Sequence, residues 1–441
     1  MSKKYATEVP RPRVGASVVA LLTVGLALGA CDFEVSNPGP VDDDALYDPG
    51  AHAGIVQGAN FGVAEALWHT SYHGAEVSKE ITRSGRNFCC PKVPSQIGAM
   101  NRDALDSNTW NVSQRARFMA DDAVRRFQAA AEEHEDLDFE SYEWAARVKL
   151  AGGYAYRILG ENMCTAVFDG GEPQDNAVYW QRAEDRFTRA IEIGQAAGLD
   201  DVVTAARAGR AQVRGPGLGD WDGAASDAEE VPRDFTHEAA YSSASTDQWN
   251  IMYDLGAGTP IRDWTVWDSD FETYYDETGD PRVPYLDRET DDTPMGHPHY
   301  EQRKFTSLSD NINLASGREM VLLRAEALLE DEAWDEAMTL INDIRTELVS
   351  DHTEEPLEEL EADNAVEAWT HLKDERRWEL WLESRRMGDL RRWIENDTPG
   401  EMEDMSMRER LCFPVTDGEV DHNDNLDDSW EDPMNPIYTG S

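Results

Sequence analysis

Apolar residues recur through most of the chain at three- and four-residue steps, the spacing that puts them on one face of a helix. Ile55 to Trp68 reads as a first helix and Trp110 to Glu133 as a second, with Tyr72 to Asn108 as an irregular stretch between them. Tyr142 to Leu159 carries Ala145, Ala146, Leu150, Ala151, Tyr154 and Ile158 on one stripe, and Tyr179 to Ala197 carries Ala183, Phe187, Ala190, Ile191 and Gly194. Val202 to Val213 and Trp221 to Val231 form a second pair around the turn Gly217 to Trp221. Glu319 to Leu329 and Trp334 to Leu348 form a third, with Ala325, Trp334, Ala337, Ile341, Ile344 and Leu348 as its apolar face. Small residues at the crossings and a large one near each turn predict stacked helical hairpins of the tetratricopeptide kind, none of which buries its face alone. The expected fold is mainly α, with hairpin repeats at about 142–231 and 317–348.

Between the second and third pairs the helical pattern stops. Asp234 to Gly317 is rich in Gly, Pro and Asp and dense in aromatics, which predicts an irregular, loop-rich insert with a few short strands or helices. A stretch this long in a compact protein is usually functional or disordered, and aromatic content argues against disorder. Its rings Trp249, Tyr253, Trp264, Trp267, Tyr274, Tyr275, Tyr285 and Tyr300, with Trp68 and Tyr72 outside it, are candidate ligand contacts. Flat rings cover the apolar C–H faces of sugars while neighbouring Asp, Asn, Gln and Arg bond the hydroxyls. Arg262, Asp263, Asp268 and Asp270 lie beside Trp264 and Trp267 in sequence. The competing reading is that most of these rings pack the insert onto the repeats.

Asp374 to Trp393, DERRWELWLESRRMGDLRRW, reads as one amphipathic helix within a segment at 370–395. Its charges fall at three- and four-residue steps, which predicts Arg–carboxylate pairs along one helical face. Trp378, Leu380, Trp381, Leu382, Leu390 and Trp393 imply burial, and buried charges must be paired. The pattern resembles the C-terminal signature of the SusD/RagB family of outer-membrane lipoproteins, through Glu375, Arg376, Glu379, Leu380, Glu383, Arg386, Asp389, Leu390 and Arg392. Ser384 stands where that family usually has Gly. Ala337, Ile341, Asn342, Ile344 and Arg345 resemble the family's A-x-x-x-I/L-N-x-I/V-R helix. Pro414, Val415, Glu419, Val420, Asn423 and Leu426 resemble its closing motif. Trp110 with Asn111 resembles the start of the helix before the repeats and is read as a packing residue. The aromatic insert matches no motif of the family.

The resemblance implies a nutrient-binding lipoprotein that captures a glycan or peptide and acts as lid on a SusC-like TonB-dependent outer-membrane transporter, binding without catalysis and needing no cofactor. A surface-anchored scaffold for protein partners and an anchored glycan hydrolase are the alternatives. No phosphate loop, nucleophile elbow or zincin motif is present, and among 88 acidic residues no catalytic pair can be selected. His297 and His299 with Asp291 and Asp292 are read as polar loop residues rather than a metal site, and Asp421 to Asp432 departs from a calcium loop at Leu426.

The N-terminus adds a compartment. Basic residues precede the apolar run Val18 to Leu28, too short to span a bilayer comfortably. Leu28-Gly29-Ala30-Cys31 resembles a lipobox, which implies a signal peptide at 1–30, Cys31 as lipid anchor, an acidic tether at 31–50 and one SusD-like domain at 51–441. Lipidation anchors rather than spans, at the outer membrane facing the exterior. Such a compartment permits disulfides among Cys89, Cys90, Cys164 and Cys412. Pairing of Cys89 or Cys90 with Cys164 is preferred, with free buried thiols as the alternative. The formal charge of −48 repels nucleic-acid phosphate and anionic membranes, which excludes those partners.

Overall fold

A computed structural model describes residues 43–84, 100, 102–257, 262–289, 293, 296–427, 430–434 and 437. The chain divides into Met1–Ala45 and Leu46–Ser441, and the second unit carries the fold. Cys31, the signal segment, Cys89, Cys90, Asp291 and Asp292 lie outside the described residues.

The helical expectation holds. Helices α1 (His52–Val77), α2 (Asn111–Glu133), α3 (Glu143–Asn162), α4 (Ala177–Ala197), α5 (Asp200–Leu218) and α6 (Trp221–Glu229) pack in sequence against one another. Small residues set how closely they approach. A methyl on Gly153 of α3 or Gly209 of α5 would meet the Phe187 ring of α4 at 2.5 or 2.3 Å. One aromatic ring therefore lies against the bare backbones of two helices, close packing that a single added carbon would break. Trp180 does the same against Gly160 and Gly217. Trp110, 2% exposed, packs as expected.

The insert holds short antiparallel pairs. Strand β1 (Thr82–Arg83) pairs with β5 (Trp264–Thr265), β4 (Thr236–Ala239) with β8 (Ile312–Ser316), and β6 (Tyr285–Asp287) with β7 (Tyr300–Gln302). A further pair, β2 (Thr165–Ala166) and β3 (Gln174–Asp175), joins α3 to α4. Helix α7 (Asp270–Thr278) lies within the insert. After β8 come α8 (Gly317–Glu330), α9 (Trp334–Arg345), α10 (Ala365–Glu379) and α11 (Arg386–Glu395). Leu322, Ile341, Ile344, Trp369 and Leu372 of α8 to α10 form a second apolar core beside the main one.

Three expectations are corrected. First, α1 runs to Val77, so Tyr72 is helical. The polar run His69 to Ser78 hid this, and its hydroxyls satisfy the helix itself: Thr70 donates to the Ala66 carbonyl at 2.9 Å and Ser78 to that of Gly74 at 2.8 Å. Second, 370–395 is two helices, broken between Glu379 and Arg386. Leu382 (φ 59°) and Ser384 (φ 62°) adopt the left-handed region that stops a helix. The Glu80 carboxylate accepts from the Leu382 amide at 2.9 Å, and Ser71 donates to the Leu382 carbonyl at 2.6 Å. Third, Cys164 bonds to Cys412. Cys164 follows α3 and its amide donates to the Phe413 carbonyl at 2.9 Å, contacts across 248 residues that spacing does not reveal.

Candidate functional site

The break gives the signature charges partners that one straight helix would not. Glu375 accepts from Arg282 at 2.8 Å and from Arg345 at 2.6 Å, and Glu379 accepts from Arg318 at 3.0 Å. Glu383 takes Lys304 at 2.8 Å, Arg386 pairs with Glu403, and Arg376 with Asp389. Only Asp389–Arg392, at 2.9 Å, is the expected local pair. Burial would raise the Asp389 carboxyl, but the Arg376 and Arg392 guanidiniums override it and hold it well below the usual range.

These pairs seat the insert. Phe271 of α7 lies against Trp381 at 5.2 Å and edge-on to Trp378 at 5.0 Å, and Tyr274 stacks on Trp378 at 4.0 Å with planes 3° apart. Arg377 binds Asp270 at 2.5 Å. Arg282, bonded to Glu375, also holds Asp280 just after α7 at 2.6 Å. With one side of α7 fastened, Tyr275 meets Tyr285 of β6 edge-on at 5.5 Å, and Tyr285 stacks on Tyr300 of β7 at 5.0 Å. The Thr265 hydroxyl oxygen accepts from the amides of Tyr300 (2.8 Å) and Trp267 (3.2 Å), which ties Trp267 to this group. The Trp267 ring stacks on His297 at 4.6 Å.

The result is a half-buried aromatic surface of Trp267, Tyr300, Tyr285 and Tyr275 edged by carboxylates. Tyr285 donates to exposed Asp276 at 2.7 Å and Tyr275 to Asp351 at 3.1 Å. Burial and then Asp351 push the Tyr275 hydroxyl up to about 12, and burial with Asp276 raises that of Tyr285 further, so both phenols keep their protons. Rings that present a face, hydroxyls that donate and carboxylates that accept together suit a polyhydroxylated ligand.

The other candidates sit elsewhere. Trp264 is fully buried, and Tyr72, 2% exposed, donates to Asp263 at 2.5 Å in a buried group with Arg83 and Glu76, so neither offers a face to a ligand. Tyr274 is committed to Trp378. Half-buried Trp249 belongs to a loop held through the Asn250 amide on the Leu308 carbonyl at 2.9 Å, and Trp68 stacks on His69 of α1. His297 proves a ring partner, and His299 bonds the Gly256 carbonyl at 2.8 Å. Asp351 and His352, which meets Tyr275 at 5.0 Å, come from beyond the insert, and no feature of the sequence singled them out. Among the described residues no three His, Cys, Asp or Glu side chains are grouped to hold a metal ion, and no helix is long and apolar enough to cross a membrane.

Residues 317–435 match the model of the SusD family. No curated protein matches the chain. Among solved structures it is similar to surface glycan-binding protein A from Bacteroides uniformis, at 12% identity over 88% of this chain and 100% of that one, with a TM-score of 0.63. It is similar to a laminarin binding SusD-like protein at 16% identity over 88% and 99%, TM-score 0.63. A SusD-like carbohydrate binding protein from Bacteroides vulgatus gives 12% over 86% and 97%, TM-score 0.62. At such identities the likeness is one of fold, and the family signature lies within 317–435. The SusD family model thus matches the C-terminal part of the chain, on a fold like that of SusD-like structures.

Proposed function

We propose that the protein captures a neutral glycan or oligosaccharide on the surface formed by Trp267, Tyr275, Tyr285 and Tyr300, and binds it without cleaving it. The observation that carries this reading is the stacked Tyr285–Tyr300 pair, half-buried and continuous with Tyr275, with Asp276 bonded to Tyr285 and Asp351 to Tyr275. It is supported by the SusD family match and by the glycan-binding names of its structural neighbours. Cys31 anchors the chain by lipid at the outer membrane facing outward, and the protein acts as lid on a SusC-like TonB-dependent transporter that takes the ligand. The ion pairs of the signature hold the surface in place; they do not touch the ligand.

Binding is tested by affinity electrophoresis against neutral polysaccharides, with Tyr285→Ala and Tyr300→Ala beside the unaltered protein. Each substitution removes a stacking face and lowers affinity about tenfold, since one aromatic contact is worth about 1 kcal/mol or more. Retention equal to the unaltered protein for both variants would refute the surface as the site. Delivery is tested by extracting membranes in detergent and purifying the protein through a C-terminal tag. A TonB-dependent barrel should accompany it, and its absence alongside lipidated Cys31 would overturn the lid.

A further inference from the structure

A cavity among the described residues lies away from the tyrosine surface and shares none of its residues. It encloses about 980 Å³ between α3 to α6 of the repeats, α11 of the signature and the C-terminal segment around Trp430. That is at the upper end of the range for ligand clefts, about 300–1,000 Å³. Its position follows from the glycine packing, because Trp180 lies flat on Gly160 and Gly217 and Trp221 lies against Gly215. The Cys164–Cys412 bond closes the segment over one side of it.

We infer that this cleft is a second saccharide site, taking a short neutral oligosaccharide. Its chemistry excludes the other classes in turn. Six carboxylates and three arginines line it. Each guanidinium is already engaged: Arg385 with Glu161 and Glu319 at 2.7 Å, Arg392 with Glu326 at 2.6 Å, and Arg391 with the carbonyls of Gly160 and Met163 at 2.8 and 3.1 Å. Arg391 bonds neutral carbonyls and keeps its charge, but the six carboxylates outnumber the arginines and repel an acidic ligand. A purely apolar ligand would leave polar groups unmet. Glu161 is 4% exposed and its Oε1 takes Arg385, while its Oε2 has no protein hydrogen-bond partner; the same holds for the indole N–H of Trp430. One is an acceptor without a donor, the other a donor without an acceptor, and each is costly when buried. An organic cation would serve the carboxylate but offer nothing to the indole. A hydroxyl serves both, and the half-buried rings of Trp221 and Trp430 supply apolar surface for C–H faces.

The test starts from the full chain carrying Tyr285→Ala and Tyr300→Ala, which disables the tyrosine surface. Titration calorimetry uses maltotriose, laminaritriose, cellotriose, xylotriose and mannotriose, with trigalacturonate as acidic control and choline as cationic control. At least one neutral trisaccharide binds this chain. Adding Trp221→Ala weakens it about tenfold, and Trp430→Phe, which keeps a ring and deletes only the N–H, weakens it about threefold. Circular dichroism confirms that each variant is folded, and Trp430→Phe serves if Trp221→Ala is not. No binding of any neutral trisaccharide, binding unchanged by both substitutions, or tighter binding of either control overturns the second site. If the tyrosine surface is instead not a site, its double variant binds as the unaltered protein does while the Trp221 and Trp430 effects remain, so the two readings fail separately.

Discussion

The Arg376 guanidinium forms two parallel hydrogen bonds with the Asp389 carboxylate, Nε to Oδ2 at 2.9 Å and Nη2 to Oδ1 at 3.0 Å, across the left-handed break between α10 and α11. Their side chains are 0% and 6% exposed. A straight helix would set these two residues, 13 apart, more than three turns from each other; the break folds them together. Removing one partner strands a buried charge, which costs about 3–5 kcal/mol. Asp389→Ala therefore lowers the urea midpoint sharply. Arg376→Met with Asp389→Leu lowers it less than the single change, because the Arg376 charge leaves with its partner and Arg392 keeps Glu326 at 2.6 Å. Equal loss in the single and double variants would show that the pair is not the origin of the stability.

Ser384 sits at the turn itself. Its φ of 62° carries a left-handed cost of about 1–2 kcal/mol for a residue with a Cβ, which explains why Gly is usual at this place in the family pattern. Its hydroxyl compensates, donating to Thr70 Oγ1 at 2.7 Å with Asn162 Oδ1 at 3.4 Å. Ser384→Gly loses the bonds and gains the backbone freedom, so stability moves by less than about 1 kcal/mol. Ser384→Ala loses the bonds and keeps the cost, for a loss of about 1–3 kcal/mol. Thermal unfolding of the two variants side by side decides it, and an alanine variant as stable as the glycine one would refute this account.

The sequence disclosed the helices more fully than the site, for a physical reason. Periodicity is a local signal, and the Ala and Gly stripes of α3 to α5 are read directly from it. The tail motif is legible for the same reason, and the structure explains it: Asn423 bonds the Gly171 carbonyl at 2.9 Å and Glu419 accepts from the Trp110 indole at 3.4 Å. The signature is legible in the sequence but its geometry is not. Nothing in strong helix formers such as Arg386 or Glu379 announces a break enforced by Glu80, more than 300 positions away. Among the aromatics, Trp264 and Trp267 are indistinguishable in sequence, yet one is core and the other half-exposed, because Trp264 lies in β5 paired with Arg83 of β1 while Trp267 lies in the turn that follows the strand. Asp351 and His352 reach Tyr275 only through the tertiary fold.

The Cys164–Cys412 bond ties the end of α3 to the C-terminal segment, beside paired backbone bonds between Asn162, Cys164 and Phe413. It closes a long loop and so restricts the unfolded chain strongly. Cys412→Ser should lower stability by about 2–5 kcal/mol, and reduction of the unaltered protein should do the same. Non-reducing peptide mapping should join Cys164 to Cys412; a peptide joining Cys89 or Cys90 to Cys164 would contradict the structure.

Two histidines one turn apart on α1 give the fold a dependence on pH. His69 and His73 are 7% and 5% exposed. Burial lowers both, His69 to about 2 and His73 to about 3, reinforced for His69 by His73 and Arg115 and for His73 by Arg83. Both stay neutral in the folded protein down to that range, whereas in the unfolded chain each takes up a proton near pH 6.5. Their contribution is complete above about pH 6.5 and is lost as pH falls toward 3, because only the unfolded state then binds the protons. The loss is about 1.4 kcal/mol per pH unit for each histidine. Glu161 and Glu80, whose carboxyls burial raises, bias the total the other way, so the comparison must be between variants. Unfolding midpoints at pH 7.5, 6 and 5 should fall less steeply for His73→Gln than for the unaltered protein, and less steeply still with His69→Gln added. Parallel slopes for all three proteins would mean that the pair titrates no differently in the folded and unfolded states.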